Sequence, residues 1–293
     1  MSGMDKQARY LERIRRVFPD LPIRSSRLHT RDGQFNDILI VDDAVIFRFP
    51  RLPQVARTIA LETRILRVIR PYLSLPIPDP IYSNLDPPPG ELAFMGYPII
   101  PGEPLRNEAL AAVDDGICNR LATQLATFLR DLHGVPAAVL GRDLPVSDGR
   151  ETWADLYARF REHLFPFMRP DARDLVTRQF AAFLDEPRHW VYRPVLRHGD
   201  FGTGNILYDP AREQIGGVID FSSIAIGDPA VDIAAIWGCG QRFLERFYPI
   251  YPEIPSMLER AAFYRSTFAL QQALYALRDG DQESFDDGIA AYV

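Results

Sequence analysis

The feature that most limits what this chain can fold into is the spacing of three oxygen-bearing side chains between Leu196 and Asp232, LRHGDFGTGNILYDPAREQIGGVIDFSSIAIGDPAVD. Asp200 and Asn205 stand five residues apart on one loop, and Asp220 follows directly after the apolar run Ile215 to Ile219. Such a run reads as a short buried strand. Asp220 therefore sits where a strand leaves the core, and all three side chains fall within 21 residues.

Those residue types at that spacing suit phosphoryl transfer. The chemistry needs a carboxylate to orient or deprotonate an attacking hydroxyl, and oxygen ligands to hold Mg²⁺ against nucleotide phosphates. Asp200 fits the first task. Asn205 has the spacing of a kinase catalytic loop, and Asp220 has the place of the metal-binding aspartate of a DFG segment, written here Asp220-Phe221-Ser222. An HGD triplet alone also reads as a turn in which Gly199 takes positive φ and Asp200 caps an amide. With Asn205, Asp220 and GDPAVD all in register, the chemical reading is favoured.

The same segments resemble the aminoglycoside phosphotransferase family of small-molecule kinases. HGDFGTGNILYD and GGVIDFSSIAIGDPAVDIA carry the resemblance, and upstream FNDILIVDDAVIFRFPR, ALETRILRVI, LPIPDPIYS and GYPIIPGEPL occur in the same order. The branch acting on the 2''-hydroxyl of aminoglycosides is the most similar. The resemblance implies an α+β, protein-kinase-like two-lobe fold, with a small antiparallel β-sheet N-lobe and a mostly helical C-lobe. It implies a nucleotide-binding lobe over residues 1–100, a hinge at 101–104 and a catalytic and substrate-binding lobe over 105–293. It also implies Mg²⁺, ATP or GTP as phosphate donor, and a small-molecule hydroxyl as acceptor, an aminoglycoside first. His198 would hold the loop rather than move protons.

Composition narrows the setting. A chain of 293 residues with 47% hydrophobic content can bury one large or two modest cores. No apolar run reaches the ~18 residues of a membrane helix, and MSGMDKQARYLERIRR lacks the apolar segment of a signal peptide. A cytoplasmic protein without a membrane partner is expected, as a monomer or weak dimer. Cys118 and Cys239 show no metal or redox spacing. The net charge of −6 argues against a nucleic-acid partner. Lys6 is the single lysine, so any role that a kinase gives to lysine falls to arginine.

Along the chain, Asp5 to Phe18 has helical spacing, and strands are expected near Ile23–His29, Phe35–Val41 and Val45–Phe49. The turn from Thr30 to Asp37, with Gly33 and Phe35, would cover the nucleotide phosphates. Arg48, opposite in face to Phe47 and Phe49, stands where many relatives carry a phosphate-binding lysine. Glu62 lies in an otherwise apolar helical stripe, Val55, Ile59, Leu66, Ile69. A carboxylate there is costly unless paired, so an Arg48–Glu62 pair is expected.

Seven prolines between Pro71 and Pro89 preclude an interior helix there. A strand Glu91–Ile100 should then lead to the hinge, where Ile100 offers the amide for the nucleotide base. Further helices are expected over Ile117–Leu132, Glu151–Leu164 and Asp171–Leu184, followed by a strand Val191–Leu196. Asp228-Pro229 reads as a helix start, with Asp228 and Asp232 in structural roles. His133 reads as structural too.

Relatives that take aminoglycosides carry acids just after the DPxxD segment, where this chain has Trp237-Gly238-Cys239-Gly240-Gln241. Its late acids, Asp279, Asp281, Glu283, Asp286 and Asp287, read as a solvated face. Two alternatives stay open on sequence: a kinase for a sugar, amino alcohol or other antibiotic, and a non-catalytic nucleotide-binding pseudokinase, suggested by Arg48 and the single-glycine phosphate turn.

Overall fold

The computed structural model describes residues 3–29, 36–88, 91–141 and 143–293. Helix α1 (Gly3–Val17) precedes strands β1 (Ser26–His29), β2 (Asn36–Val41) and β3 (Val45–Pro50). Helix α2 (Pro53–Ile69) follows, then β4 (Tyr82–Asn84) and β5 (Phe94–Pro98). The five strands form one antiparallel sheet in the order β1-β2-β3-β5-β4.

The β2–β3 turn shows how local sequence sets this sheet. Asp42 and Asp43 both take positive φ, 51° and 50°, and Ala44 N donates to Val41 O at 3.0 Å. Two positive φ angles give the turn whose twist matches the strands it joins, and aspartate tolerates them better than most residues. Beyond the turn, period two sends Phe47 and Phe49 to one face, where with Leu39, Val41 and Phe94 they meet Tyr10 and Ile14 of α1. The Tyr10 ring stacks on Phe49 at 4.1 Å.

Arg48 points to the other face, toward α2. The single lysine is committed to this sheet: buried Asp37 of β2 accepts from Tyr10 Oη at 2.6 Å, Arg51 Nε at 2.8 Å and Lys6 Nζ at 3.1 Å.

The rest of the chain is mainly helical. Strand β6 (Glu103–Pro104) precedes α3 (Asn107–Ala112), the long α4 (Asp115–His133), α5 (Arg150–Arg159) and α6 (Pro170–Leu184). Then come β7 (Val195–Arg197), β8 (Ile206–Asp209), β9 (Gln214–Val218) and β10 (Ala225–Gly227). Helices α7 (Ala230–Ile236), α8 (Gln241–Glu245), α9 (Leu258–Ser266), α10 (Phe268–Asp279) and α11 (Gln282–Ile289) complete it. Strands β6, β8 and β9 form a small sheet in the order β6-β8-β9, and β7 pairs antiparallel with β10.

Helix α4 is the axis of this part. Asp114 caps it by accepting from Ile117 N at 2.8 Å, and Leu121, Leu125, Phe128, Leu129 and Leu132 are fully buried, the face that their spacing predicts. The same core takes in Leu66 and Ile69 of α2 and Met95 and Tyr97 of β5. The second face of the N-terminal sheet thus shares its packing with the helices. The α+β layout expected from sequence, a small antiparallel sheet followed by mostly helix, is the one observed.

Several boundaries differ from expectation. Helix α2 begins at Pro53 rather than Val55, because proline suits a first helical turn. The helix expected over Glu151–Leu164 ends at Arg159 and continues as a wider π turn, Phe160–Leu164, which buries both Phe160 and Leu164. The strand expected from Val191 shrinks to β7, since Pro194 has no N–H to pair and Pro187–Trp190 form a tight 3-10 turn. The strand expected over Glu91–Ile100 shortens to β5. Among the described residues, no helix is long and apolar enough to cross a membrane.

Candidate active site

Strand β7 delivers the loop that carries Asp200, and the turn after it is possible only with glycine. Gly199 has φ 86°, and a Cβ there would lie 2.0 Å from Arg197 Nη1 and 2.4 Å from Ser223 O. His198 is fully buried; its Nδ1 accepts from Asp200 N at 3.2 Å, so Nε2 carries the proton and donates to Ile219 O at 3.1 Å.

Asp232 of α7, also fully buried, accepts from His198 N and Gly199 N, both at 2.8 Å, and from His133 Nε2 at 3.0 Å. His133 Nδ1 in turn meets Tyr251 Oη at 3.0 Å. Burial opposes the Asp232 charge, but His133, His198 and Arg197 outweigh it and hold its pKa below the ordinary carboxylate value. The loop is fixed from behind by buried residues whose polar side-chain atoms are bonded to it or to one another.

Its front is different. Asp200 is exposed, and Asn205 Nδ2 donates to its Oδ2 at 2.7 Å and to its backbone O at 2.9 Å. That leaves Asn205 Oδ1 for another partner. The backbone O of Asn205 accepts from Ile219 N at 2.9 Å, which ties the loop to the residue before Asp220. Asp220 has φ 61°, a strained value for a non-glycine residue, and its carboxylate is 43% exposed. Ser222 N donates to Asp220 Oδ1 at 3.3 Å, and Arg48 Nη2 lies 3.6 Å away. Burial of the Asp220 site works against its charge; Arg48 and Ser222 prevail, and its pKa is lowered.

The expected Arg48–Glu62 pair forms, with Nη1 to Oε1 at 2.7 Å and both side chains buried. Burial pushes the Glu62 carboxyl up against the pull of Arg48. Burial likewise opposes the Arg48 charge, yet Glu62, Tyr97 and Asp220 raise its pKa. A guanidinium does not give up its proton at working pH, so Arg48 keeps its charge beside Glu62.

Asp200, Asn205, Asp220, Arg48 and Glu62 are therefore linked through one network. Ile100 lies just beyond β5, half-buried against β9: a Cβ on Gly217 would sit 2.7 Å from its Cγ2. The neighbouring Ile99 N is already committed to Ala44 O at 2.8 Å. Gly33, Phe35 and the remainder of the expected phosphate turn up to residue 35 lie outside the described residues. Glu103 and Pro104 pair with Tyr208 and Leu207, and Gly216 lets this crossing approach closely: a Cβ there would meet Pro101 O at 2.0 Å.

Asp228 has the structural role expected of it, and a larger one. It accepts from Ala230 N at 2.9 Å at the start of α7, which begins one residue later than Pro229, and also from Arg260 Nε and Nη2 at 2.5 and 3.0 Å and Tyr264 Oη at 2.9 Å. The late acids are exposed with local partners: Asp281 caps α11 through Ser284 N at 3.1 Å, and Asp279 pairs with Arg278 at 2.7 Å. A cavity of about 590 Å³ opens behind the loop, lined by His133, Arg193, Tyr251 and Arg260 and by none of Asp200, Asn205 and Asp220.

Sequence reasoning missed the buried Arg197–Asp148 pair, with contacts at 2.5 and 3.1 Å. A signal existed. Arg197 continues the apolar pair Val195-Leu196 into the core, and a charge there demands a partner for the same reason that Glu62 does.

Asn205 Oδ1 and the half-exposed Asp220 carboxylate are hard oxygen donors with open sides. That suits Mg²⁺, which keeps several waters and takes the remaining oxygens from phosphates. A free carboxylate beside two such donors, backed by a buried arginine, defines a class: kinase-like enzymes that pass a phosphoryl group to an alcohol.

Comparison with known proteins agrees. A model of the phosphotransferase enzyme family matches residues 30–264, and the chain belongs to that family. It is 31% identical to viomycin phosphotransferase from Streptomyces vinaceus over 285 residues, covering 95% of this chain and 96% of that one. Among solved structures it is similar to a GDP and kanamycin complex of APH(2")-IIIa, with TM-score 0.88, 26% identity and 96% of each chain covered. A macrolide 2'-phosphotransferase type I, at TM-score 0.78 and 22% identity over 100% of this chain and 98% of that one, shares the fold.

Proposed function

We propose that the protein transfers the γ-phosphate of Mg²⁺-bound GTP or ATP to a hydroxyl of an amine-bearing antibiotic. The observation that carries the assignment of roles is the Asn205 bridge. Its amide fixes Asp200 while its backbone carbonyl fixes Ile219, so one residue sets the distance between proton acceptor and metal-binding carboxylate.

In this reading Asp200 Oδ1, which Asn205 leaves free, receives the hydroxyl proton, and Oδ2 is held still by the amide. The carboxylate then places the hydroxyl oxygen in line with the γ-phosphorus, and positioning of this kind supplies most of the catalysis in phosphoryl transfer. Asn205 Oδ1 and Asp220 would hold Mg²⁺, which when bound neutralises charge across the β- and γ-phosphates. Arg48, kept pointing forward by Glu62, would grip the α- and β-phosphates with two donors rather than the one point charge of a lysine. Ile100 N is the proposed donor to the nucleotide base, with residues 1–100 as nucleotide lobe, 101–104 as hinge and 105–293 as catalytic lobe. A cytoplasmic location, where donor nucleotide is made, goes with this function.

The acceptor class rests on the relatives. One matched relative is a viomycin phosphotransferase, and a structural neighbour at 26% identity is a kanamycin complex. Viomycin-type peptides and aminoglycosides are therefore the first acceptors to test. The deciding experiment is a coupled turnover screen with Mg²⁺ and each of ATP and GTP over viomycin, kanamycin, other aminoglycosides, macrolides and metabolite alcohols. Acceptor-dependent turnover with phosphorylated product supports the assignment. Turnover no faster than the acceptor-free background across the whole panel would overturn it.

A further inference from the structure

The Arg197–Asp148 pair takes no part in the chemistry above, yet the fold is built around it. Asp148 lies in the segment between α4 and α5, is 4% exposed and takes φ 68°, in the left-handed region that aspartate enters more readily than most residues. Its Oδ2 accepts from Arg197 Nε at 2.5 Å and from Asp228 N at 3.3 Å; its Oδ1 accepts from Arg197 Nη2 at 3.1 Å and Ser147 Oγ at 3.1 Å. Arg197 Nη1 reaches further, to Ser223 O at 3.0 Å.

Two glycines make room for this. A Cβ on Gly227 would lie 2.0 Å from Asp148 Oδ2 and 3.1 Å from Arg197 Nε; one on Gly199 would lie 2.0 Å from Arg197 Nη1. The segment before Asp148 is itself stitched to β10: Ile226 N donates to Pro145 O at 2.8 Å, and Ser147 N to Ile226 O at 2.9 Å.

The pair therefore ties three separate pieces together: residues 145–148, the strand that ends at the Asp200 loop, and the segment Ser223–Asp228 that follows Asp220. Two buried charges are a poor choice for stability alone, because apolar residues of similar volume serve as well or better. What a planar guanidinium does that an apolar pair does not is donate in two fixed directions at once, to Asp148 and to Ser223 O.

We propose that Arg197 and Asp148 are positioning residues, which fix the segment after Asp220 relative to the Asp200 loop and so set the geometry of phosphoryl transfer. This rests on the phosphotransferase reading above. Neither residue touches the reacting atoms.

The test compares the full-length wild type with R197M/D148L, which removes the pair but keeps apolar bulk, and with Arg197→Lys, which keeps the charge but loses the fork. Three quantities are read: thermal midpoint, hydrogen exchange of the Ile226 and Asp228 amides without ligand, and kcat and KM for Mg²⁺–GTP and Mg²⁺–ATP with kanamycin or viomycin as acceptor. Both variants should keep a cooperative transition, with the lower midpoint in R197M/D148L, which puts a bulky side chain at φ 68° and leaves Asp228 N without its acceptor. Their amides in this segment should exchange about 10-fold faster or more, and kcat should fall about 10- to 100-fold with nucleotide KM within about twofold.

Should R197M/D148L not fold, Arg197→Lys decides by the same readings. Wild-type exchange and wild-type kcat in a folded variant would overturn the proposal, as would a kcat loss that only tracks the loss of folded protein. If the wild type turns over no nucleotide, the phosphotransferase reading fails by itself, and exchange alone then decides whether the pair positions the segment.

Discussion

The two sides of one short loop differ in almost every physical respect. Behind it, His198, Asp232 and His133 are buried, and each hydrogen-bonding atom of the Asp232 carboxylate is taken: Oδ2 by His198 N and His133, Oδ1 by Gly199 N. In front, Asp200 is exposed, Asn205 and Asp220 are partly so, and each keeps an oxygen with no bond inside the network described. In the proposed function the saturated side stores the geometry, and the unsaturated side is where substrate groups complete the bonding. Titratable residues alone do not separate the two sides; their remaining capacity does.

That contrast can be broken by substitution. The largest stability effect is expected at Asp232→Ala, which strands two loop amides and His133 in the interior and should cost about 3–5 kcal/mol, read by urea or thermal unfolding, with activity lost alongside. Arg48→Met should come next, because buried Glu62 loses its partner: about 3 kcal/mol of stability together with a raised KM for nucleotide. An unchanged KM would remove Arg48 from the phosphate site.

Asp220→Asn belongs to the front and should behave in the opposite way. Its unfolding midpoint should stay within what surface changes give, about 0.5 kcal/mol, while the Mg²⁺ concentration for half-maximal turnover rises about 10-fold or more. Titration of Mg²⁺ at fixed nucleotide reads this directly.

The smallest effect concerns pH. Asp37 and Asp232 have folded pKa values below the ordinary 3.8; burial opposes the shift in each, and Tyr10 with Arg51 and Lys6, or His133, outweighs it. A depressed carboxylate stabilises the fold fully above its unfolded value, and that stability drains away as pH falls through its folded value. Stability from these groups should thus hold above about pH 4 and decline below 3.8, and Asp232→Asn should show a shallower decline. Glu62, shifted upward by burial, has the opposite sign and costs stability as pH rises above its ordinary 4.5.

The parts of the molecule that sequence disclosed are those whose logic is local or periodic. Asp200, Asn205 and Asp220 share one short segment, and Glu62 betrayed its pairing with Arg48 by interrupting an apolar helical stripe. The Phe47/Phe49 face and the buried ridge of α4 followed from period. What stayed hidden joins residues far apart with no repeating pattern: Asp148 with Arg197, Asp228 with Arg260 and Tyr264, His133 with Asp232. Their partners are chosen by the packing of whole elements, which no single window contains. Helix ends at Arg159 and Pro53 slipped for a milder reason, since a π turn and a first-turn proline leave apolar spacing nearly unchanged.

The most direct test of the central claim is Asp200→Asn, assayed for acceptor-dependent nucleotide turnover and for its thermal midpoint on the same preparation. The exchange replaces the proposed proton acceptor by a group of the same shape on the exposed side. It should lower kcat by roughly 10²- to 10⁴-fold while the midpoint stays within about 2 °C of the wild type. A variant that keeps wild-type turnover would contradict the account, because the chemistry would then belong to some group other than the carboxylate at the front of the loop.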